Sequence, residues 1–443
     1  MIITVLFFAA ILIIGIFSFF KVKTKEDYLV AGRRAGGLAV GSSLAATILG
    51  GSSTLGLAGL AFARGLTGSW WLLVGAAGLF LLFFFVPVLK KHRVYTLPDL
   101  IKEWYGIRVQ KVASFLILAA WMGIVGAQAN AAGLVLTTFL GGAQWYWTGA
   151  AGIIFILYTV AGGQLSVIRT DLVQIILIIT GVILTGASGL TAAGGWQGLK
   201  QALEPQFFSF PLSAAFPLKE LLLLFLVVGS TYLIGPDMFS RIFCSRNVHQ
   251  ARKGILLAII IIMPAAFLFT LLGMEARVLF PDITGEAAVP ELIRTVLPAP
   301  LSMLMVVALL SAFISSADTT LLTMSAILSV DILRIKSVSG LRLCTALAGI
   351  AGLLVGMLSR GIIPSLLLGY TVFTGGLAVP IISALLRKPM RPAAALISVV
   401  AGGSLALAGK LCTSSALVAA AFLLSLIIYS IDRLWQIKFN SEN

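Results

Sequence analysis

Residues 41–59 read GSSLAATILGGSSTLGLAG and lie inside an apolar segment, 38–63, that is long enough to cross a bilayer. Glycine costs roughly 1 kcal/mol against alanine inside a helix, so Gly50-Gly51 followed by the hydroxyl run 52–54 disfavours a continuous helix. Non-helical backbone at membrane depth is tolerated only where it is buried in protein or lines a cavity. A spanning helix broken near its middle is typical of ligand and ion sites in transporters. Small residues also allow close helix packing, which is the alternative interpretation.

The composition identifies the class of protein. Hydrophobic residues make up 59% of the 443 residues and charged residues only 11%, and the mean hydropathy is +1.07. Soluble domains carry about 25% charged residues, so the chain is predicted to be an all-α polytopic membrane protein in a lipid bilayer. A net charge of +15 would suggest a nucleic-acid partner in a soluble protein. Here the loops account for it, and we expect no nucleic-acid partner.

Apolar segments near the length of a membrane span predict about 13 transmembrane helices. The segments are 3–20, 38–63, 69–88, 110–140, 147–163, 171–193, 219–240, 254–280, 297–328, 341–359, 362–386, 392–409 and 412–431. The first begins at the initiator methionine with no basic residue ahead of it, and Lys21, Lys23 and Lys25 follow it. That is the wrong polarity for a cleaved signal peptide, so we expect an uncleaved helix whose N-terminus is outside.

The basic residues support this map. Most of the 31 Lys and Arg residues then fall in loops that face the cytoplasm. The external side keeps only Arg64, Lys200, Lys219, Arg277, Arg294, Arg360 and Lys410. This asymmetry follows the positive-inside rule. It predicts a multi-pass protein of the cell (inner) membrane with its N-terminus outside and its C-terminus in the cytoplasm.

The segments also contain a weak internal repeat. Two sets of five begin with an interrupted segment: Gly50-Gly51 interrupts 38–63, and Gly229–Tyr232 followed by Gly235-Pro236 interrupts 219–240. Sets of five place the second copy upside down, which predicts a five-plus-five inverted repeat with two broken helices. The predicted divisions are an N-terminal extra helix and cytoplasmic loop (1–37), the first repeat (38–193), an external loop (194–218), the second repeat (219–386), and two C-terminal helices with a short cytoplasmic tail (387–443).

Polar side chains inside two spans carry separate predictions. Trp121 and Gln128 share a helical face, which points into the bundle or a cavity. A hydrogen bond that merely joins two helices is an equally good interpretation. Asp237 and Arg241 have i,i+4 spacing and are predicted to form an ion pair at a cytoplasmic helix end.

The span with the most polar residues contains SAFISSADTTLLT, residues 311–323. Ser315, Asp318 and Thr319 share a face, and Ser316 lies beside them. Sodium is a hard cation that prefers several oxygen ligands, and this stretch supplies them. Serine and threonine often bond to their own helix carbonyls instead. The density of oxygens and the intramembrane carboxylate favour a cation site.

Several short motifs resemble those of the sodium/solute symporter family, in the family's order and over essentially the whole chain. They are Asp27-Tyr28 with Ala31-Gly32-Arg33, Gly56-Leu57-Ala58-Gly59, Tyr95-Thr96-Leu97-Pro98, Tyr158-Thr159 with Gly162-Gly163, Thr170-Asp171 with Gln174, and Ser315-Ser316-Ala317-Asp318. The resemblance implies the inverted-repeat fold of leucine-transporter type. It also implies sodium as the coupled ion.

The resemblance further implies ion sites at particular residues. The sodium ligands would be the carbonyls of Ala46, Leu49 and Ala312 and the hydroxyls of Ser315 and Ser316. Some relatives bind a further sodium with an aspartate at the position of Asp171 and hydroxyls at the positions of Asp318 and Thr319. A carboxylate replaces one hydroxyl here, so a second cation held by Asp171, Asp318, Ser315 and Thr319 is the hypothesis. The alternative is a helix-terminal carboxylate at Asp171 and a loop hydrogen bond at Asp318.

The resulting prediction is a sodium-coupled secondary active symporter, functional as a monomer, that imports a small polar organic solute by alternating access. Substrate contacts are expected from Gly50, Gly51, Ser52, Ser53, Trp121, Gln128 and Tyr232. Family members serve sugars, amino acids, carboxylates, vitamins, urea and iodide. Alternatives are a proton-coupled or sodium-independent carrier of the same fold, or a membrane sensor derived from it. An enzyme is disfavoured because the spans contain no evident nucleophile–base pair or metal cluster.

Overall fold

The computed structural model describes residues 13, 17, 19–358 and 361–441, and these residues are almost entirely helical. The predicted first span, 3–20, lies almost wholly outside the described residues. Helices of the first half are α1 (Lys25–Val30), α2 (Gly37–Ile48), α3 (Leu57–Arg64), α4 (Trp70–Leu89), α5 (Leu97–Tyr105), α6 (Ile107–Leu140), α7 (Gln144–Ala192) and α8 (Gly195–Ala202). Helices of the second half are α9 (Leu218–Leu224), α10 (Ser230–Ile234), α11 (Pro236–Cys244), α12 (Val248–Leu279), α13 (Ala288–Val296), α14 (Ala299–Ala326), α15 (Val338–Leu358), α16 (Ile362–Leu385), α17 (Pro392–Leu411) and α18 (Ser415–Ser441).

The described residues contain ten helices that are long and apolar enough to cross a bilayer. Helix α7 is kinked at Gly163, where φ is 55° and ψ is −164°, and it therefore carries both predicted spans 147–163 and 171–193. Positive φ at this position suits glycine because it lacks a Cβ atom. The prediction of an all-α polytopic membrane protein is confirmed, but the count of 13 helices is not.

The first broken helix is interrupted where the glycine pair predicted it. Helix α2 ends at Ile48, and Leu49 leaves the helical conformation with φ −82° and ψ 43°. The chain then resumes through a wide helical turn, Ser52–Gly56, which continues directly into α3. This stretch is buried in protein, as irregular backbone at membrane depth must be.

The second broken helix is interrupted only at the second of the two predicted positions, Gly235-Pro236. The stretch Gly229–Tyr232 is helical, so the prediction of an interruption there is wrong. The break is at Gly235, whose ψ of 135° is extended, and Pro236 begins α11. Proline at a helix start is favourable because its missing N–H would have no helical partner there.

Loops that were assigned to the cytoplasmic side meet at one end of the bundle. The backbone of Ala35 pairs with the segment after α11, and Lys90 Nζ donates to the carbonyl of Ser245 at 2.7 Å. Arg33 donates to the carbonyl of Val94 at 2.8 Å. Three loops from distant parts of the chain therefore lie on the same side, as the map of spans requires.

Helix α14 lies at the centre of the bundle. It packs against α2, α6 and α7, and α11 also contacts it. Its residues from 305 to 326 are all buried, including the whole polar stretch 311–323. Buried hydroxyl groups need partners. Ser315 and Ser316 donate to groups on α7 and α2, whereas Ser311, Thr319 and Thr320 donate to carbonyls of α14 itself.

Candidate functional site

The backbone at the first helix break packs closely against α14 and is hydrogen-bonded to α6. A Cβ atom at Gly50 would lie 2.1 Å from Ser316 Oγ, so only glycine fits there. The backbone N–H of Gly51 donates to Gln128 Oε1 at 2.7 Å. The predicted polar face of α6 is thus used to satisfy an amide that the break frees.

The break also leaves carbonyl groups without their usual helical donors. The described backbone hydrogen bonds include none from Gly50 N to Ala46 O or from Gly51 N to Thr47 O. The carbonyl of Thr47 instead accepts the hydroxyl of Ser316 at 2.6 Å. Freed carbonyls at a helix break are the groups that coordinate monovalent cations in membrane transporters.

The two serines predicted as ion ligands donate in different directions. Ser316 Oγ donates to Thr47 O, and Ser315 Oγ donates to Asp171 Oδ1 at 2.7 Å. Each hydroxyl has one proton, so its lone pairs remain able to coordinate a cation. The residues predicted as sodium ligands are all buried in the described structure: Ala46, Leu49, Ala312, Ser315 and Ser316.

A charged cluster lies next to Ser315. Asp171, on α7, also accepts a hydrogen bond from Ser43 on α2. Nη2 of Arg241 lies 3.9 Å from Asp171 Oδ2 and donates to the hydroxyl of Thr319. Both charged side chains have no exposed surface. The structure therefore brings Asp171, Ser315 and Thr319 together, as predicted, but places a guanidinium among them.

Asp318 has different surroundings. Its Oδ1 accepts from Thr159 Oγ1 at 2.5 Å, and its Oδ2 is buried without a hydrogen-bond partner. The side chain lies one turn after Ser315 on α14. A second cation held by Asp171, Asp318, Ser315 and Thr319 stays a prediction.

The predicted ion pair between Asp237 and Arg241 is wrong. Both oxygens of Asp237 accept from Trp121 Nε1, at 2.9 and 2.8 Å, and Arg241 extends instead to Asp171. Spacing along one helix identifies possible neighbours but cannot show that other helices offer each side chain a partner. Here α6 supplies the donor and α7 supplies the counter-charge.

A small cavity of about 20 Å³ lies between the two broken helices. Its lining consists of Thr47, Ile48, Ser52, Ile124, Gln128, Tyr232, Asp237, Met238, Ser316, Thr320 and Tyr370. A cavity must have a volume of roughly 10–15 Å³ to hold a single water molecule. The centre of the bundle is therefore closed in this conformation, with polar groups from both broken helices facing a space of about one water molecule.

Three of the predicted substrate residues, Ser52, Gln128 and Tyr232, line this cavity. The other predicted substrate residues do not line the cavity. Gly50 and Gly51 form the helix break, and Ser53 Oγ donates to the carbonyl of Ile48 at 2.5 Å. Trp121 Nε1 donates to the carboxylate of Asp237, which does line the cavity.

Sequence reasoning missed four polar side chains of the lining, Thr47, Asp237, Thr320 and Tyr370. A signal was present for Asp237, because an ionisable residue within an apolar segment is a functional hypothesis by default. Tyr370 had a weaker signal as a tyrosine in the middle of a span. Nothing in the spacing distinguished Thr47 and Thr320 from other helix hydroxyls.

A second, larger cavity of about 400 Å³ lies toward the end of the bundle that is predicted to be external. Gln144, Thr148 and Glu286 are among its polar lining residues. Glu286 Oε1 accepts from the backbone N–H of Ile362 at 2.9 Å, and so caps the start of α16. The cavity shares no lining residue with the closed central cavity.

Comparison with known proteins gives matches over most of the chain. The model of the Sodium:solute symporter family matches residues 28–360. Human Sodium/myo-inositol cotransporter 2 is 26% identical over 378 residues, which cover 74% of this chain and 55% of that protein. The Sodium/glucose cotransporter of Vibrio parahaemolyticus is 24% identical over 299 residues, covering 62% of this chain and 54% of that protein. The chain spans about half the length of the curated relatives it matches.

Solved structures match the fold. The substrate-bound, outward-open structure of a Na+-coupled sialic acid symporter has a TM-score of 0.83 and 18% identity, covering 97% of this chain and 96% of that chain. MHP1, a nucleobase-cation-symport-1 family transporter, has a TM-score of 0.69 and 15% identity, covering 94% of this chain and 96% of that chain. The predicted leucine-transporter-type fold is thereby confirmed.

Proposed function

The chain belongs to the Sodium:solute symporter family, and from this premise we propose that it is a sodium-coupled secondary active symporter. It imports a small polar organic solute by alternating access. The observation that carries the proposal is the hydrogen bond of 2.6 Å between Ser316 and the carbonyl of Thr47. It joins the helix break to α14 beside a closed polar cavity.

Sodium is proposed to bind between α2 and α14, next to this hydrogen bond. Its ligands are the carbonyls of Ala46, Leu49 and Ala312 and the hydroxyls of Ser315 and Ser316. Two observations support this set. The carbonyl of Ala46 does not accept the backbone N–H of Gly50, and the hydroxyl protons of Ser315 and Ser316 are donated to Asp171 and to the carbonyl of Thr47. A weakly held monovalent ion suits a set of neutral oxygen ligands, because an ion that must be released on each cycle cannot be bound too tightly.

Coupling follows from the position of this site between two helices. Sodium binding stabilises conformations in which α2 lies against α14, and these include the conformation described here. A solute that binds the same arrangement then binds more tightly, and sodium does so in return. Coupling of this kind is typically worth about 1–3 kcal/mol.

The solute is proposed to be a small uncharged molecule that carries hydroxyl groups, such as a sugar or a cyclic polyol. The lining of the central cavity includes no Lys, Arg or His side chain, and its single carboxylate, Asp237, already accepts two contacts from Trp121. The side chains of Ser52, Gln128 and Tyr232 are hydrogen-bonding groups without net charge. The names of the relatives, cotransporters of myo-inositol and of glucose, point to the same class.

The chain is further proposed to act as a monomer in the cell membrane, with its N-terminus outside and its C-terminus in the cytoplasm. Support comes from the meeting of the Lys- and Arg-rich loops at one end of the bundle. The positive-inside rule assigns that end to the cytoplasm. The inverted repeats 38–193 and 219–386 are proposed with the same boundaries as before.

Transport in proteoliposomes tests the proposal. Each member of a panel of labelled sugars and cyclic polyols is offered outside in NaCl or in KCl of equal ionic strength. We expect at least one to accumulate only in NaCl, and to accelerate the influx of radioactive sodium. Equal uptake in the two salts would identify a sodium-independent carrier, and binding of a solute without any uptake would identify a sensor. Either result overturns sodium-coupled symport.

A further inference from the structure

Arg241 is a fully buried cation whose side chain reaches residues of α7 and α14. It is carried by α11, the second half of the second broken helix, and its Nη2 lies 3.9 Å from Asp171 Oδ2. Nε and Nη1 have no hydrogen-bond partner. A buried cation requires a counter-charge, and Asp171 is the one carboxylate within salt-bridge distance of Arg241 in the described part of the chain.

The other carboxylates near Arg241 are arranged differently. Asp237, on the same helix, accepts from Trp121. Asp318, on α14, accepts from Thr159. Asp171 is therefore the group that neutralises the guanidinium, and the guanidinium is the group that neutralises Asp171.

The guanidinium of Arg241 also interacts with the oxygen atoms that a second sodium would need as ligands. Nη2 donates to Thr319 Oγ1 and lies 3.4 Å from Thr47 Oγ1. Asp171 already accepts the hydroxyl protons of Ser43 and Ser315. A sodium ion among Asp171, Ser315 and Thr319 would sit beside a fixed positive charge, and like charges in a poorly screened interior repel strongly. These residues do not fit a second sodium while Arg241 is in place.

We propose that Arg241 is the resident counter-cation of Asp171, taking the place of a second sodium, so that the chain binds one sodium ion in each cycle. The inference rests on the proposed function for the first sodium. Arg241 acts as a positioning residue: it holds Asp171, and Asp171 holds the proton of Ser315 away from the first ion. The oxygen lone pairs of Ser315 are then left for that ion.

The number of ions bound is the measurement that tests this. Radioactive sodium is titrated against the purified full-length chain in detergent, with choline chloride keeping the ionic strength constant. The wild type is expected to bind one sodium per chain. Arg241→Gln frees Asp171, Ser315 and Thr319 and is expected to bind two, whereas Arg241→Lys keeps the charge and is expected to bind one.

A double variant keeps the test valid if Arg241→Gln does not fold. Arg241→Gln with Asp171→Asn removes both buried charges together, which proteins tolerate far better than the loss of one. It is expected to bind one sodium, but with lower affinity than the wild type, because the neutral amide at position 171 is a weaker acceptor for the proton of Ser315. If the wild type binds two and the double variant one, Asp171 holds a sodium and the proposal is overturned. It is also overturned if a folded Arg241→Gln variant binds the same number as the wild type.

The two proposals fail in different ways. Absence of sodium binding in the wild type would overturn the proposed sodium coupling. A wild type that binds two sodium ions overturns the proposal for Arg241; in a wild type that binds one or none, the role of Arg241 is tested by the difference between Arg241→Gln and the wild type. A gain of one ion supports the role, and no gain overturns it.

Discussion

Ser316 Oγ donates a hydrogen bond of 2.6 Å to the carbonyl of Thr47, two residues before the helix break. In a continuous helix that carbonyl would accept from Gly51 N, which here donates to Gln128 at 2.7 Å. Side chains of α14 and α6 thus replace the hydrogen bond that the break removes. Any movement that separates α2 from α14 must break the bond to Ser316, so the closed state of the centre depends on this contact.

The close packing of the break gives the first prediction. In Gly50→Ala, the added Cβ would lie 2.1 Å from Ser316 Oγ and 2.7 Å from Ser316 Cβ, so α2 must move away from α14. Overpacking of this kind typically costs about 1–3 kcal/mol, and we expect a lower Tm together with loss of the sodium response. Gly149→Ala is the matched control, because a Cβ there meets nothing within 4 Å. Wild-type behaviour of Gly50→Ala would show that the close contact is not needed.

The second prediction concerns the proposed ligand hydroxyls. Ser315→Ala and Ser316→Ala each remove one of few oxygen ligands, and we expect the apparent affinity for sodium to fall about tenfold or more, equivalent to roughly 1.4 kcal/mol. Sodium titrations of solute uptake or of thermal stability measure this. Ser311→Ala is the control, since Ser311 is buried on the same helix but donates only to its own helix carbonyl, Val307 O, at 2.8 Å. Unchanged sodium dependence in both ligand variants would mean that the site is wrongly assigned.

The third prediction concerns the central cavity. Ser52 lines it, so a cysteine at this position, in a Cys412→Ser background, should react with a small thiol reagent only when the centre opens. Sodium together with a transported sugar or polyol should slow the labelling. The wild-type chain is the control, because its exposed Cys412 should react at the same rate with or without solute. Labelling of the Ser52 variant that no transported solute alters would place the solute elsewhere.

The two buried aspartates near Ser315 give the fourth prediction, because their surroundings differ. Asp171→Asn leaves Arg241 buried without a counter-charge, and loss of one partner of a buried pair typically costs about 3–5 kcal/mol. Asp318 has no basic group within 4 Å among the described residues, and its Oδ2 lacks a partner. We therefore expect Asp318→Asn to keep or raise the Tm and to leave the number of bound sodium ions unchanged.

Thermal unfolding of the two variants side by side, with sodium counting on each, checks this contrast. A larger loss of stability in Asp318→Asn than in Asp171→Asn would contradict the pairing described here. Loss of a bound sodium in Asp318→Asn would instead support the second cation site predicted from the sequence.

The sequence predicted those features that depend on local residue chemistry. The glycine pair at Gly50 predicted the first break, and the hydroxyl-rich stretch 311–323 predicted the polar face of α14. Prediction from the sequence failed where a side chain's hydrogen-bond partner lies far away in the chain. Asp237 bonds to Trp121, which is 116 residues away, and no spacing within α11 could reveal that. At the second break, the sequence correctly predicted Gly235-Pro236, where Gly235 is extended and Pro236 begins α11. The segment Gly229–Tyr232 resembles a break in composition but is helical.

Sodium binding at the break is the central claim, and the thermal stability of the purified wild-type chain tests it most directly. The Tm is measured in NaCl and in KCl at equal ionic strength, beside Ser316→Ala. A ligand that binds only the folded state raises its stability in proportion to the logarithm of ligand concentration. We predict a higher Tm in NaCl for the wild type, rising with sodium concentration, and a smaller rise for Ser316→Ala that needs about tenfold more sodium. A wild-type Tm that is equal in NaCl and KCl at every concentration would contradict the account.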